Sequence, residues 1–329
     1  MRICIVGVGA IGTWVAARLS RSSSVELSCL VKPQALERLR AEGLSLIESH
    51  QGVQTTQCVH PHFFSDAAQE SVKPDWIIVC TKSTALASVL GSIQALIAPH
   101  THVLSAMNGV PWWFLSLGDS PFKDRVIESV NPGGQIQSMI GIEHWVGGVV
   151  HASCSSPRSG VAAHHFGEEL IIGEPNRVQT PRVTELQTIL NEVGFNTKVS
   201  THIQYDIWYK LWGNMTMNPV SVLTGATTDK ILEDDLVLKF VSDIMLEARD
   251  IGHALGIEIE QHPRDRHAVT AKLGSFKSSM LQDLEAHRPL ELNALVSAVK
   301  ELGTWVGVST PHMDILLGLT RLKAAVLGL

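Results

Sequence analysis

At 329 residues the chain is long enough for two domains, each with its own core. A composition of 45% hydrophobic and 18% charged residues, with a formal charge of −6, suits a globular protein and offers no basic footprint for nucleic acid or anionic lipid. No apolar stretch approaches the roughly 18–20 residues of a membrane span, and five scattered cysteines with no C-x-x-C point to a reducing, cytoplasmic setting.

Residues 3–6 form a short apolar run, followed by Gly7-Val8-Gly9-Ala10-Ile11-Gly12 and a helical pattern to residue 20. This is a strand, a tight turn and a helix start. Gly7 makes the turn, Gly9 lets the backbone approach a pyrophosphate, and Gly12 lets the helix pack on the strand. Free N–H groups and the helix dipole favour phosphates there. The alternative, a secretory signal, is disfavoured by glycines inside the apolar run and the lack of a cleavage pattern.

Residues 25–31 read as the second strand of a βαβ unit. NAD binders usually carry an acidic residue at this strand's end, about 20 residues past the glycines, for the ribose 2′-OH. Here the strand ends Leu30-Val31-Lys32, and Glu26 comes too early. A cation suits a 2′-phosphate, so NADP is favoured and Lys32 is the candidate contact; a solvated lysine at a helix start is the competing reading.

Residues 35–42 are expected to be helical, closing at Gly43, with short strands at 44–48 and 53–59. The apolar run 76–80 is expected as a strand covered on both faces. It delivers Lys82 to the carboxyl edge, where ligands bind in such sheets. A helix over 85–97 and a strand over 103–107 follow, ending in Asn108-Gly109. By residue type, the cluster Val110-Pro111-Trp112-Trp113-Phe114 favours packing over pocket lining. The glycine-punctuated stretch 126–174 suggests short antiparallel strands, and 183–193 and 196–200 a helix and a last strand.

Beyond residue 200 strand signals vanish. Helical periodicity takes over at 205–217, 232–255, 267–284, 291–306 and 311–327. The expected division is therefore a nucleotide-binding domain over 1–200 and an all-helical domain over 201–329. Within the second, KLWGNMTMNP places Lys210, Asn214 and Asn218 at i, i+4 and i+8, on one helix face. Pro219 is expected to end or kink that helix. A lysine with two amides suits a 2-keto acid: amides bind its polar groups, and an ammonium polarises the carbonyl and gives up a proton.

The motifs GVGAIG, CTKS, MNGV, KLWGNMTMNP and SSMLQDLEAHRPLEL together resemble the ketopantoate reductases along essentially the whole chain. The resemblance implies a Rossmann-type doubly wound α/β domain, a helical C-terminal domain, and NADPH-dependent reduction of a 2-keto acid to its D-hydroxy acid. It also implies roles. Lys210 is similar to the family's general acid, and Glu291 to the glutamate that orients cofactor and substrate. Asn214 and Asn218 match the substrate amides and Ser279 the carboxylate-holding serine. Lys82, Asn108 and Ser153 match cofactor contacts. The chain departs from the family at Lys32, where an arginine is usual, at Thr228, where a further substrate asparagine is usual, and at Asn293, Val296 and Ser297. A D-2-hydroxy-acid dehydrogenase for bulkier or aromatic 2-keto acids is the rival enzyme, and a nucleotide-sensing protein without turnover the remoter alternative. A homodimer is compatible with the sequence.

Overall fold

The computed structural model describes residues 1–50, 52–116, 120–272 and 274–329. Ile3, Cys4, Ile5 and Val6 are all buried in β1 (Arg2–Val6), as a strand covered on both faces requires. β1 bonds in parallel to β2 (Glu26–Leu30) on one side and β6 (Trp76–Val79) on the other. The parallel run extends from β2 to β5 (His62–Phe64), and from β6 through β7 (His102–Ser105) to β8 (Trp145–Arg158). β8 turns back antiparallel as β9 (Val161–Gly173). β9 in turn pairs in parallel with β3 (Leu44–His50) and β10 (Asn196–Val199), and β3 pairs antiparallel with β4 (Val53–Val59). The sheet is thus mixed and mostly parallel, ordered β4-β3-β9-β8-β7-β6-β1-β2-β5 with β10 beside β9. Five helices connect these strands: α1 (Ala10–Leu19), α2 (Pro33–Glu42), α3 (Leu86–Leu96), α4 (Gln135–Met139) and α5 (Pro181–Glu192).

The short antiparallel strands expected over 126–174 are replaced by something simpler. Residues 126–144 are turns and short helical pieces, and the remainder is one hairpin of 14- and 13-residue strands. The glycines that suggested turns serve close packing instead. A Cβ at Gly148 would stand 2.8 Å from the Ser105 carbonyl oxygen, and one at Gly173 2.7 Å from that of Ser200. The three-residue β5 was too short to show a pattern.

Behind the sheet, α1 buries Trp14, Val15 and Leu19 among Ile5, Ile78 and Leu104. Arg18 lies in the same layer at 2% exposure. Its guanidinium donates to Glu48, Glu168 and the Gly194 carbonyl, each at 2.7 Å, between the rings of Trp14 and Phe195. A buried cation is tolerable when carboxylates answer its charge in this way.

The chain divides into two compact units. One holds residues 1–107, 116–120 and 135–203; the other holds 108–115, 121–134 and 204–329. The second is helical: α6 (Ile203–Thr224), α7 (Thr228–Glu233), α8 (Asp235–Ala254), α9 (Pro263–Ala271), α10 (Ser279–Glu285), a π-helical turn at Asn293–Ser297, α11 (Ala298–Val306) and α12 (Pro311–Val326). Segments 108–115 and 121–134 precede the helices by far in sequence but pack with them. Phe114 stacks on Trp208 with centroids 5.6 Å apart, and Glu301 accepts the N–H groups of Glu128 and Ser129. Trp112, Trp113 and Phe114 are buried, so the aromatic cluster is packing.

Two helix boundaries differ from expectation. Pro219 does not end α6, which runs five residues further. Buried Val220 and Val222 carry it on, and Lys323 donates to the Val222 and Leu223 carbonyls at its end. The single helix expected over 267–284 is two, with α9 ending at Ala271 and α10 starting at Ser279; Leu273, within the expected span, lies outside the described residues. Among the described residues no helix is long and apolar enough to cross a membrane.

Candidate functional site

In the sheet-bearing unit the glycine loop is built as its spacing suggests. Gly7 has φ of +94°, a conformation that side-chain-bearing residues avoid, and a Cβ there would meet Thr81 Cγ2 at 2.7 Å. At Gly12 a Cβ would collide with the Gly7 carbonyl oxygen at 1.9 Å, so α1 reaches the strand only because this position is bare. Gly9 differs from both: a Cβ there meets nothing within 4 Å. Val8 lies between them, its carbonyl accepting the Gly160 N–H at 3.0 Å and the Thr13 hydroxyl at 3.1 Å.

Ala10 and Ile11 begin α1, whose N-terminus has no side-chain cap and no acidic residue in its first turn. Open space over Gly9 and an uncapped helix start fit a dinucleotide pyrophosphate. Lys32 is exposed and ends the segment after β2, immediately before Pro33 of α2. Glu26 stands at the opposite end of β2 and pairs with Arg2 at 3.1 Å. No carboxylate therefore follows directly on the carboxyl end of β2. Lys82 follows β6 and precedes a short 3₁₀ turn. Ser153 is buried at an irregularity of the β8–β9 hairpin.

The helical unit holds the other residues. Gly109 has φ of +90°, and a Cβ there would lie 2.6 Å from both the Cβ and the carbonyl oxygen of Ala294, in the π turn. The next residue, Val110, donates its N–H to that same carbonyl at 2.9 Å. This close docking fixes Asn108, whose Oδ1 accepts from the Lys210 ammonium at 2.7 Å. Lys210 and Asn214 are half-buried on α6 and Asn218 is buried. Glu291 is also buried and accepts the Leu295 N–H on its carbonyl, at the foot of the π turn. π turns of this kind recur at functional sites.

Ser279 is the first residue of α10, and its neighbour Ser278 is the cap, accepting the Leu281 N–H. The Ser278 hydroxyl also bonds that of Ser221 at 2.5 Å, and Ser221 donates to the Asn218 carbonyl. The start of α10 is thereby tied to α6 beside Asn218. Thr228 has its hydroxyl committed to the Gly274 carbonyl at 2.8 Å.

Sequence reasoning missed Arg266. Its guanidinium lies 5.5 Å from the Tyr209 ring centroid and against Gly213, both on α6 and both adjacent to the Lys210–Asn214 face. The available signal was the glycine itself, since one in mid-helix costs about 1 kcal/mol relative to alanine. The cysteines offer no rival chemistry: all five are free, and burial pushes the Cys4, Cys80 and Cys154 thiols up to about 12.

A glycine-loop α/β unit followed by a helical unit presenting a lysine and amides defines a nicotinamide-dependent oxidoreductase. The comparisons agree. Residues 3–177 match the family model for ketopantoate reductase PanE/ApbA, and residues 202–324 match that for its C terminal. The chain belongs to the ketopantoate reductase family. It is 36% identical to the 2-dehydropantoate 2-reductase of Mesorhizobium japonicum, over all of this chain and 99% of that one. A crystal structure of a candidate ketopantoate reductase from Ralstonia solanacearum is 44% identical, covering 100% of this chain and 99% of that one, with a TM-score of 0.93. D-mandelate dehydrogenase, solved with NADH and anilino(oxo)acetate, shares the fold at 22% identity, full coverage of both chains and a TM-score of 0.84.

Proposed function

We propose that the protein reduces a 2-keto acid of the 2-dehydropantoate type to its D-2-hydroxy acid with NADPH, in the cytoplasm. One observation carries the reading: the Lys210 ammonium is held 2.7 Å from Asn108 Oδ1, on a helix face shared with Asn214 and Asn218. When bound, the nicotinamide supplies the hydride. Lys210 donates a proton to the carbonyl oxygen as negative charge develops there. Asn108 orients the ammonium by accepting one of its N–H bonds. Asn214 and Asn218 hold the substrate's polar groups, Ser279 its carboxylate, and Glu291 serves as the orienting acid beside the reacting centre. Gly7 to Gly12 carry the pyrophosphate, with Lys82, Asn108 and Ser153 as further cofactor contacts. Lys32 meets the 2′-phosphate, a role supported by its exposure and by the pairing of Glu26 at the other end of β2.

A second reading has one specific support. Thr228 gives its hydroxyl to Gly274, which removes a polar group where relatives offer an amide and favours a bulkier or aromatic 2-keto acid. Oxidation of NADPH and NADH, followed with ketopantoate and with branched and aromatic 2-keto acids, tests both. Fastest turnover on an aromatic acid would replace the first substrate with the second, and no turnover on any member would remove the enzyme reading altogether.

A further inference from the structure

Arg266 of α9 carries a cation with no counter-charge. Its Nε is buried without a hydrogen-bond partner, and no ion pair involving Arg266 occurs among the described residues. The neighbouring carboxylate, Asp265, is turned back to accept the His262 N–H in the cap of α9. Burial pulls the Arg266 guanidinium below its ordinary value, and only the Tyr209 hydroxyl opposes that shift. A half-buried charge with no counter-ion is costly to maintain, so its position calls for an explanation.

The position is specific. A Cβ at Gly213 would stand 2.8 Å from Nη2 and 3.0 Å from both Cζ and Nε. Three near-equal distances mean that the flat face of the guanidinium lies on the bare helix backbone, leaving its N–H edges for another acceptor. The Tyr209 ring covers part of it at cation–π distance. With about 100° per residue, Gly213 lies about 60° round α6 from Lys210 in one sense, and Asn214 about 40° in the other. Lys210 thus has amides on one flank and a guanidinium on the other. A 2-keto acid has the matching order: a side chain, then the carbonyl, then a carboxylate.

We propose that Arg266, laid on Gly213, binds a carboxylate of the substrate by its planar fork and so determines which 2-keto acids are accepted. The proposal rests on the reading of the protein as a 2-keto acid reductase. Arg–carboxylate pairs are commonly bidentate, which a lysine cannot reproduce. The carboxylate is either the one adjoining the keto group or a second, distal one.

The test compares wild type with Arg266→Gln and Arg266→Lys in steady state, using a monocarboxylic and a dicarboxylic 2-keto acid. Loss of a charge-assisted pair should raise the keto acid KM about 10- to 100-fold in Arg266→Gln, with kcat and the KM for the dinucleotide nearly unchanged. Arg266→Lys should recover only part of it. A rise with both acids assigns the carboxylate beside the keto group; a rise confined to the dicarboxylic acid assigns the distal one. Equal KM values for wild type and Arg266→Gln with both acids overturn the proposal. A second variant, Gly213→Ala, leaves the charge in place but displaces the fork, and should also raise KM. Calorimetric titration with oxamate separates this proposal from the reading beneath it, because it needs no turnover. Weaker oxamate binding by folded Arg266→Gln supports the site for the carboxylate beside the keto group even if no keto acid is reduced, and unchanged binding of both oxamate and the dicarboxylic 2-keto acid, titrated without reduced dinucleotide, sinks the proposal.

Discussion

The Lys210–Asn108 bond makes a sharp demand on a single side chain. If Lys210 is the proton donor, Lys210→Ala should lower kcat by about 10²–10⁴, the usual range for general acid catalysis, while dinucleotide binding followed by fluorescence stays near wild type. Near-normal turnover would remove the assignment. Asn108 was legible in the sequence as a residue at a strand end, but its partner was not. The bond depends on Gly109 docking at Ala294, 185 positions away, and no spacing rule reaches that far. Arg266 escaped for the same reason, its side chain reaching Gly213 from 53 positions further along the chain. At Lys32 the prediction concerns preference. Lys32→Glu should move the NADPH/NADH ratio of kcat/KM towards NADH by about 10- to 100-fold, the scale of a charge-assisted hydrogen bond; an unchanged ratio would leave Lys32 as a solvated lysine.

Among the elements, those with strong local signals were readable: β1 from its apolar run, α1 from its glycines, and α6 from its buried flanks. What was lost had no local signal. β5 is three residues long, and the glycines of β8 and β9 imitate turns because nothing in the sequence shows which backbone will lie against them. The Arg18 network joins α1 to β3 and β9, and Arg18 and Glu48 shift in agreement, the guanidinium up and the carboxyl down. Burial alone would raise the Glu48 carboxyl, but Arg18 and Arg21 outweigh it and hold the group below its ordinary value. A depressed carboxyl contributes stability above its ordinary pKa of about 4.3 and loses it as pH falls through the folded value. Thermal melting should therefore weaken in acid below that point, and the Glu48→Gln variant should show a shallower decline. Arg18→Met leaves Glu48 with Arg21 but without its buried cation and should cost about 3–5 kcal/mol in denaturant unfolding.

For the whole molecule, the sequence conveyed the order of architectures, a sheet-bearing half and then a helical half. It did not convey that residues 108–115 and 121–134 would join the later helices. At that scale the surface of α12 also matters. Ile315, Leu319, Leu322 and Val326 are all exposed, at spacings of four, three and four residues, and so form one apolar stripe. Such a stripe on a helix suits a second copy of the chain. Light scattering on a size-exclusion column should find a dimer, and the double variant Leu319→Glu, Leu322→Glu should be monomeric with its melting temperature little changed. A monomeric wild type would set the stripe aside.

The π turn at Asn293–Ser297 has a consequence best expressed in the language of insertion and deletion. A π turn holds one residue more than an α turn, and here the Ala298 N–H reaches back five positions to Asn293. Deleting one residue, such as buried Val296, would let the segment relax to α register and rotate everything before it by about 100° relative to α11. The Ala294 carbonyl would leave Val110, the berth for Gly109 would close, and Glu291 would face elsewhere. A single codon thus separates a helix that seats Asn108 and Glu291 from one that is more regular and seats neither.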